Sequence, residues 1–141
     1  MAFVIKPSDG LEGLSFRSPR DEVRKFFGSS FSAGRRTQGS RPYDYWAEVP
    51  VFGYYDEADL LEALEFPRDA DLVLDGTSLF RSRATDTVQF LRERDPALLV
   101  EEQGTSVTSE RLGLGLWIPE ASEPDAAVES VIIFCDGYYS N

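Results

Sequence analysis

The chain has 141 residues, 42% apolar and 28% charged, with one cysteine and no histidine. That length fits a single domain able to bury a core without disulfide or metal support. Its 25 acidic against 14 basic residues give a net charge of -11, which argues against nucleic acid and anionic membrane surfaces, since both need a basic face.

In chain order, residues 3–5 read as a short edge strand or an ordered arm, and Pro7-Ser8-Asp9-Gly10 as a turn. Ser18-Pro19-Arg20-Asp21 offers an N-cap, a first-turn proline and a capping-box acid ahead of the apolar stripe Val23, Phe26 and Phe27. Gly28 follows as a stop, so the spacing predicts a helix over residues 19–27. Residues 28–41, with Phe31 as their only large apolar side chain and Arg35-Arg36 as a small positive spot, read as a mobile loop. The aromatic and β-branched segment that follows fits two strands, 43–48 and 51–55, joined around Pro50, with Asp56-Glu57-Ala58-Asp59 as the next turn. Residues 60–66 read two ways. Leu60, Leu61 and Leu64 share a helical face, whereas Leu61, Ala63 and Glu65 alternate with Glu62, Leu64 and Phe66 as in a strand. An internal repeat, described below, favours the strand.

Residues 72–74 form a short strand before the Asp75-Gly76 turn, and Ala84, Val88 and Leu91 mark a helix over residues 84–94, ended by Asp95-Pro96. Residues 98–102 read as a strand, Gly104-Thr105-Ser106 as a turn and residues 107–110 as strand or loop. Residues 112–118 are a strand with Gly113 and Gly115 on one face, where another backbone can approach. After a polar loop, residues 128–134 are a strong strand ended by Asp136-Gly137, and Tyr138 and Tyr139 follow. No apolar run approaches the ~20 residues of a membrane span. The first residues are too short for a signal-peptide core, and no early cysteine offers a lipid site, so cytoplasm is the expected compartment.

Phe16-Arg17-Ser18 recurs as Phe80-Arg81-Ser82, 64 residues on (80 − 16), each time just before a helix. At the same offset Phe26 matches Phe90 and Phe27 matches Leu91. Leu61-Glu62-Ala63-Leu64-Glu65-Phe66 parallels Val128-Glu129-Ser130-Val131-Ile132-Ile133-Phe134 at an offset of 67 (129 − 62). The expected fold is therefore α+β, one domain of two duplicated helix-plus-β-meander units, residues 11–66 and 75–139, with both helices on one face of an antiparallel sheet. The run Gly13-Leu14-Ser15-Phe16, capped helix, Phe27-Gly28 and antiparallel strands resembles the repeat unit of the β-lactamase-inhibitor-protein-like fold and of small outer-membrane assembly lipoproteins. The tandem arrangement is similar to small bacterial immunity proteins encoded beside secreted toxins. The chain lacks the lipid-attachment and disulfide cysteines of the secreted members, so the resemblance implies a cytosolic binder and carries over no site residue.

Without histidine, Ser-His-Asp and Cys-His catalysis and every histidine-containing metal site are excluded. Cys135, beside Asp136 in an apolar strand, reads as a small buried hydrophobe rather than a nucleophile. Asp56, Glu57, Asp59 and Glu62 lack the spacing and glycine of a Ca²⁺ loop, and Gly113-x-Gly115 lacks the rest of a phosphate motif. No cofactor is implied. The remaining expectation is a binding surface: Tyr43, Tyr45, Trp46, Tyr54 and Tyr55 as anchors, with Asp56, Glu57 and Asp59 steering a basic protein partner. Alternation sends about half of those aromatics into the core. The competing readings are a small Asp/Glu-dependent hydrolase or ligand-binding protein with a cleft between sheets, and a homodimer or larger homo-oligomer that buries the open sheet face.

Overall fold

The structure, a computed structural model, describes residues 2–35 and 42–138. Arg36 and the rest of the expected mobile loop up to residue 41 lie outside the described residues, as does Tyr139. The fold is mixed α+β with mostly antiparallel sheets.

A small sheet opens the chain with β1 (Phe3–Lys6), β2 (Gly10–Leu11) and β3 (Leu14–Ser15), and helix α1 (Arg20–Phe27) follows. Strands β4 (Ser32–Arg35), β5 (Pro42–Trp46), β6 (Val51–Tyr55) and β7 (Leu61–Pro67) then run as an antiparallel meander. The hairpin β8 (Leu72–Leu74) and β9 (Thr77–Ser78) leads into helix α2 (Ala84–Arg94). A second antiparallel meander comprises β10 (Leu99–Glu101), β11 (Ser106–Ser109), β12 (Leu114–Trp117) and β13 (Ser130–Phe134). The two meanders join through β7 and β13, with Glu65 opposite Ile132, to give an eight-stranded sheet in the order β10-β11-β12-β13-β7-β6-β5-β4. The small sheet runs β3-β2-β1-β8-β9. Residues 60–66 thus resolve as strand, because β7 is the central seam and needs alternation on both faces.

Four local expectations change. Residues 3–5 do not form an edge: β1 lies between β2 and β8, antiparallel to the first and parallel to the second. Residues 32–35 of the expected loop are the outer strand β4, since small side chains suffice where only one neighbour must be met. Ser18 does not cap α1. Its hydroxyl donates to Ser15 O at 2.7 Å, while the main chain at Arg17 and Ser18 pairs with Leu61. The segment before the helix is therefore held extended, and Pro19 takes the N-cap position without a side-chain bond. Gly113 sits in the turn ahead of β12 rather than in the strand, at φ 68°.

One continuous core gathers Val23 of α1, Ala84 and Leu91 of α2, and Ile5, Leu72 and Leu74 of the small sheet. It packs them against Trp46, Tyr55, Leu64, Phe66, Leu116 and Ile133 of the large sheet. Buried apolar area is the main favourable term holding these layers together. Tyr54, Ala63 and Phe134 form a separate cluster with Tyr43, Phe52, Ile132 and Tyr138. No helix residue belongs to it, so among the described residues the helices and small sheet cover one face of the large sheet, while Tyr138 stacks on Phe134 on the other.

Candidate interaction surface

Strand register assigns the face opposite the helices residue by residue. One row crosses the whole sheet: Leu99, Thr108, Gly115, Ile132, Glu65, Phe52, Tyr45 and Ser32 stand opposite one another in turn. Beside it run Phe134, Ala63, Tyr54, Tyr43 and Gly34, and on the other flank Glu101, Ser106, Trp117, Ser130 and Pro67. Four rings meet on the β5–β6 hairpin. Tyr45 stacks on Phe52 with centroids 4.3 Å apart, and Tyr43 stands 5.7 Å from Phe52 and 6.2 Å from Tyr54. Tyr54 Oη donates to Glu65 Oε1 at 2.6 Å, which fixes a carboxylate beside the rings. Tyr43, Tyr45 and Phe52 are half-buried, while Trp117 is 54% exposed. Aromatic faces next to a carboxylate attract cationic side chains, above all arginine.

Of the five aromatic anchors expected from the sequence, Tyr43, Tyr45 and Tyr54 lie on this face. Trp46 and Tyr55 do not, because alternation turns them to the helical side, where both are fully buried. Trp46 Nε1 donates to Gly28 O at 2.8 Å, with Phe27 4.9 Å from its ring. The acidic turn is also committed elsewhere. Asp56 Oδ1 accepts from the amides of Ala58 and Leu60, and Oδ2 lies 3.4 Å from Arg17. Asp59, at φ 60°, pairs with Arg20 at 3.3 Å. Glu57 is exposed at the tip of the same turn. Two of the three expected steering carboxylates thus anchor the β6–β7 turn to the start of α1.

The sequence reading missed the main electrostatic feature, the carboxylate of Asp44. It is fully buried under α1. Arg24 donates to both of its oxygens at 2.8 and 2.9 Å, Arg20 to both at 3.3 and 2.9 Å, and Tyr55 Oη to Oδ2 at 2.8 Å. Arg20 also lies over the Tyr55 ring and Arg24 over the Phe31 ring. Burial alone would raise the Asp44 carboxyl, but hydrogen bonds from Arg24, Arg20 and Tyr55 outweigh it and hold the group at about 2. Those bonds raise both arginines in turn. Burial and the Asp44 hydrogen bond push the Tyr55 hydroxyl well above its ordinary range. With its lone pairs occupied and its charge matched, Asp44 is a structural clamp and not a free acid or base. A signal for it existed: Arg20 and Arg24 are four apart on one helical face, and Asp44 shares the strand parity of core-facing Trp46.

Cys135 is buried, and burial pushes its thiol up, away from nucleophile chemistry. Among the described residues no three His, Cys, Asp or Glu side chains stand together as metal ligands, and no helix is long and apolar enough to cross a membrane. Comparison with protein-family models, curated proteins and solved structures gives no match.

Proposed function

We propose that this chain is a non-catalytic, cytosolic protein-binding module whose binding surface is the face of the eight-stranded sheet opposite the helices. The observation that supports the reading is the four-ring cluster of Tyr43, Tyr45, Phe52 and Tyr54 on the sheet face opposite the helices, where Tyr43, Tyr45 and Phe52 keep partial exposure. Tyrosine and tryptophan anchors around a core of low charge are the composition of protein interfaces. The net charge of -11 favours a partner with a basic surface, by steering encounter over distance. The resemblance to immunity proteins makes the concrete form of the proposal a protein that neutralises a bacterial toxin by covering its active site.

The architecture supports a duplicated origin as part of the same proposal. Each half is a hairpin, a helix and a four-strand meander, and the helices start 64 residues apart (84 − 20). The repeat offset of 67 also relates Glu65 to Ile132 (132 − 65), the pair that faces across the central seam. A two-fold axis through that pair would relate the halves and would account for β1 being antiparallel to β2 yet parallel to β8.

Co-expression with the product of the neighbouring gene, followed by calorimetry on the purified pair, tests the function. Replacing Tyr45 and Phe52 together by alanine is expected to weaken the complex at least about thirtyfold, the effect of losing interface anchors. Reversing Glu57 to lysine, which leaves the Asp56 and Asp59 anchors of the turn intact, is expected to act mainly on association rate and salt dependence. A tight complex that the alanine pair leaves unchanged would sink the reading.

A further inference from the structure

The two outer strands of the large sheet occupy equivalent places in the two halves, yet they are finished differently. β4 carries Ser32, Ala33, Gly34 and Arg35, and the Tyr43 ring lies over Gly34, whose Cβ position would come within 3.1 Å of the tyrosine hydroxyl. That outer strand offers little apolar surface. β10 is the reverse. Leu99 is 48% and Val100 43% exposed, and they point to opposite faces of the sheet. An edge strand with exposed aliphatic side chains on both faces is a template for one more strand. The neighbour would extend the backbone ladder, cover Leu99 on the open face and cover Val100 on the helical side.

Charge selects what that strand is. β10 ends in Glu101 and runs into Glu102, both exposed. The loop carrying exposed Glu120 and Glu123 approaches the same turn, where the Cβ position of Gly104 lies 3.3 Å from Ala121. Two copies of a chain of charge -11 would bring these carboxylates together, so the glutamates guard the edge against self-pairing while leaving it open to an opposite charge. We infer that β10 is a β-augmentation site for an extended strand of a partner protein in which aliphatic and basic side chains alternate. Leu99 stands at the β10 end of the open face, whereas the four-ring cluster lies on β5 and β6 toward the other end of the sheet, so substitutions at Tyr45 and Phe52 test one assignment and substitutions at β10 test the other.

A nine-residue peptide alternating valine and lysine, added to the isotope-labelled protein, tests this by amide hydrogen exchange. At saturating peptide the outer amides within residues 99–101 are expected to exchange about tenfold more slowly, with those of β4 unchanged. The same peptide N-methylated on its edge-facing amides is expected to lose this protection. A valine–glutamate peptide is expected to bind at least about tenfold more weakly, with the preference reversed by Glu101→Lys with Glu102→Lys. Should that double variant misfold, Leu99→Lys is the second test, and it is expected to weaken the valine–lysine peptide while keeping the circular dichroism spectrum. Protection at β4 instead of β10, equal binding of the two peptides, no binding at millimolar peptide, or a protein dimer that Leu99→Lys dissolves would each overturn the inference.

Discussion

With Asp44 replaced by asparagine, Arg20 and Arg24 keep their charges but lose the carboxylate between them. Breaking a buried ion pair from one side leaves an uncompensated charge, so Asp44→Asn is expected to cost about 3 kcal/mol in urea unfolding. The same group sets the acid limit. Its folded value of about 2 lies below the ~3.9 of an unfolded aspartate, so its contribution is complete above that unfolded value. The contribution is lost as pH falls from about 4 to 2, and by linkage it amounts to about 2 kcal/mol. Wild type is therefore expected to lose stability over that window, while Asp44→Asn shows a flatter profile. Tyr55→Phe removes one donor and is expected to cost about 1 kcal/mol and, by raising the folded Asp44 value, to make the acid loss smaller and complete at a higher pH. Single-residue roles were the least legible part of the sequence. Strand parity correctly separates Tyr43 and Tyr45 from Trp46, but it does not say which side is core. Asp56 and Asp59 looked like a solvated patch because their cationic partners lie 39 residues earlier in the chain.

Elements were easier to read where local chemistry is unambiguous. The helix over residues 84–94 stands with those bounds, because its apolar spacing and the Asp95-Pro96 stop agree. β8 and β13 were recognisable from aliphatic and β-branched runs. β4 was hidden because Ser, Ala, Gly and Arg carry no strand signal, and only pairing with β5 makes them a strand. The turn before β12 was hidden because Gly113 alternates with Gly115 as a strand residue would. Its φ of 68° and the 2.7 Å between its Cβ position and Phe134 O show a glycine required twice over, by backbone and by space. Gly113→Ala is expected to cost about 3 kcal/mol in thermal or urea unfolding. Gly76→Ala, with φ 77° but open space around its Cβ, isolates the backbone contribution and is expected to cost about 1 kcal/mol. Equal effects at the two sites would show that Phe134 gives way.

For the molecule as a whole, the question is whether the two halves unfold together. Trp46 lies in the first meander and Trp117 in the second, so two single-tryptophan variants report on them separately. The continuous core and the β7–β13 seam predict one transition, with the fluorescence midpoint of each variant matching its own circular dichroism midpoint. Separate midpoints would mean that the halves are independent units joined at a weak seam. The α+β class and the antiparallel sheet were legible at this scale because each strand pairs with a chain neighbour. The place of β1 was not, since its partner β8 is some 70 residues distant and parallel pairing leaves no local mark.

The seam has a consequence for synthesis. β7 offers Leu61, Leu64 and Phe66 on its core face, and beyond the Leu61 backbone held by Arg17 and Ser18 its edge facing away from β6 has no partner strand until Ser130–Phe134 has been made. A nascent chain therefore carries an open apolar strand edge while more than 60 further residues are added, over several seconds at ordinary translation rates. On a polysome, the β7 of the next chain is the nearest competing edge. Exchange of halves between neighbouring ribosome products is the misassembly this topology invites, and slowing translation after residue 67 is expected to raise the yield of swapped dimer.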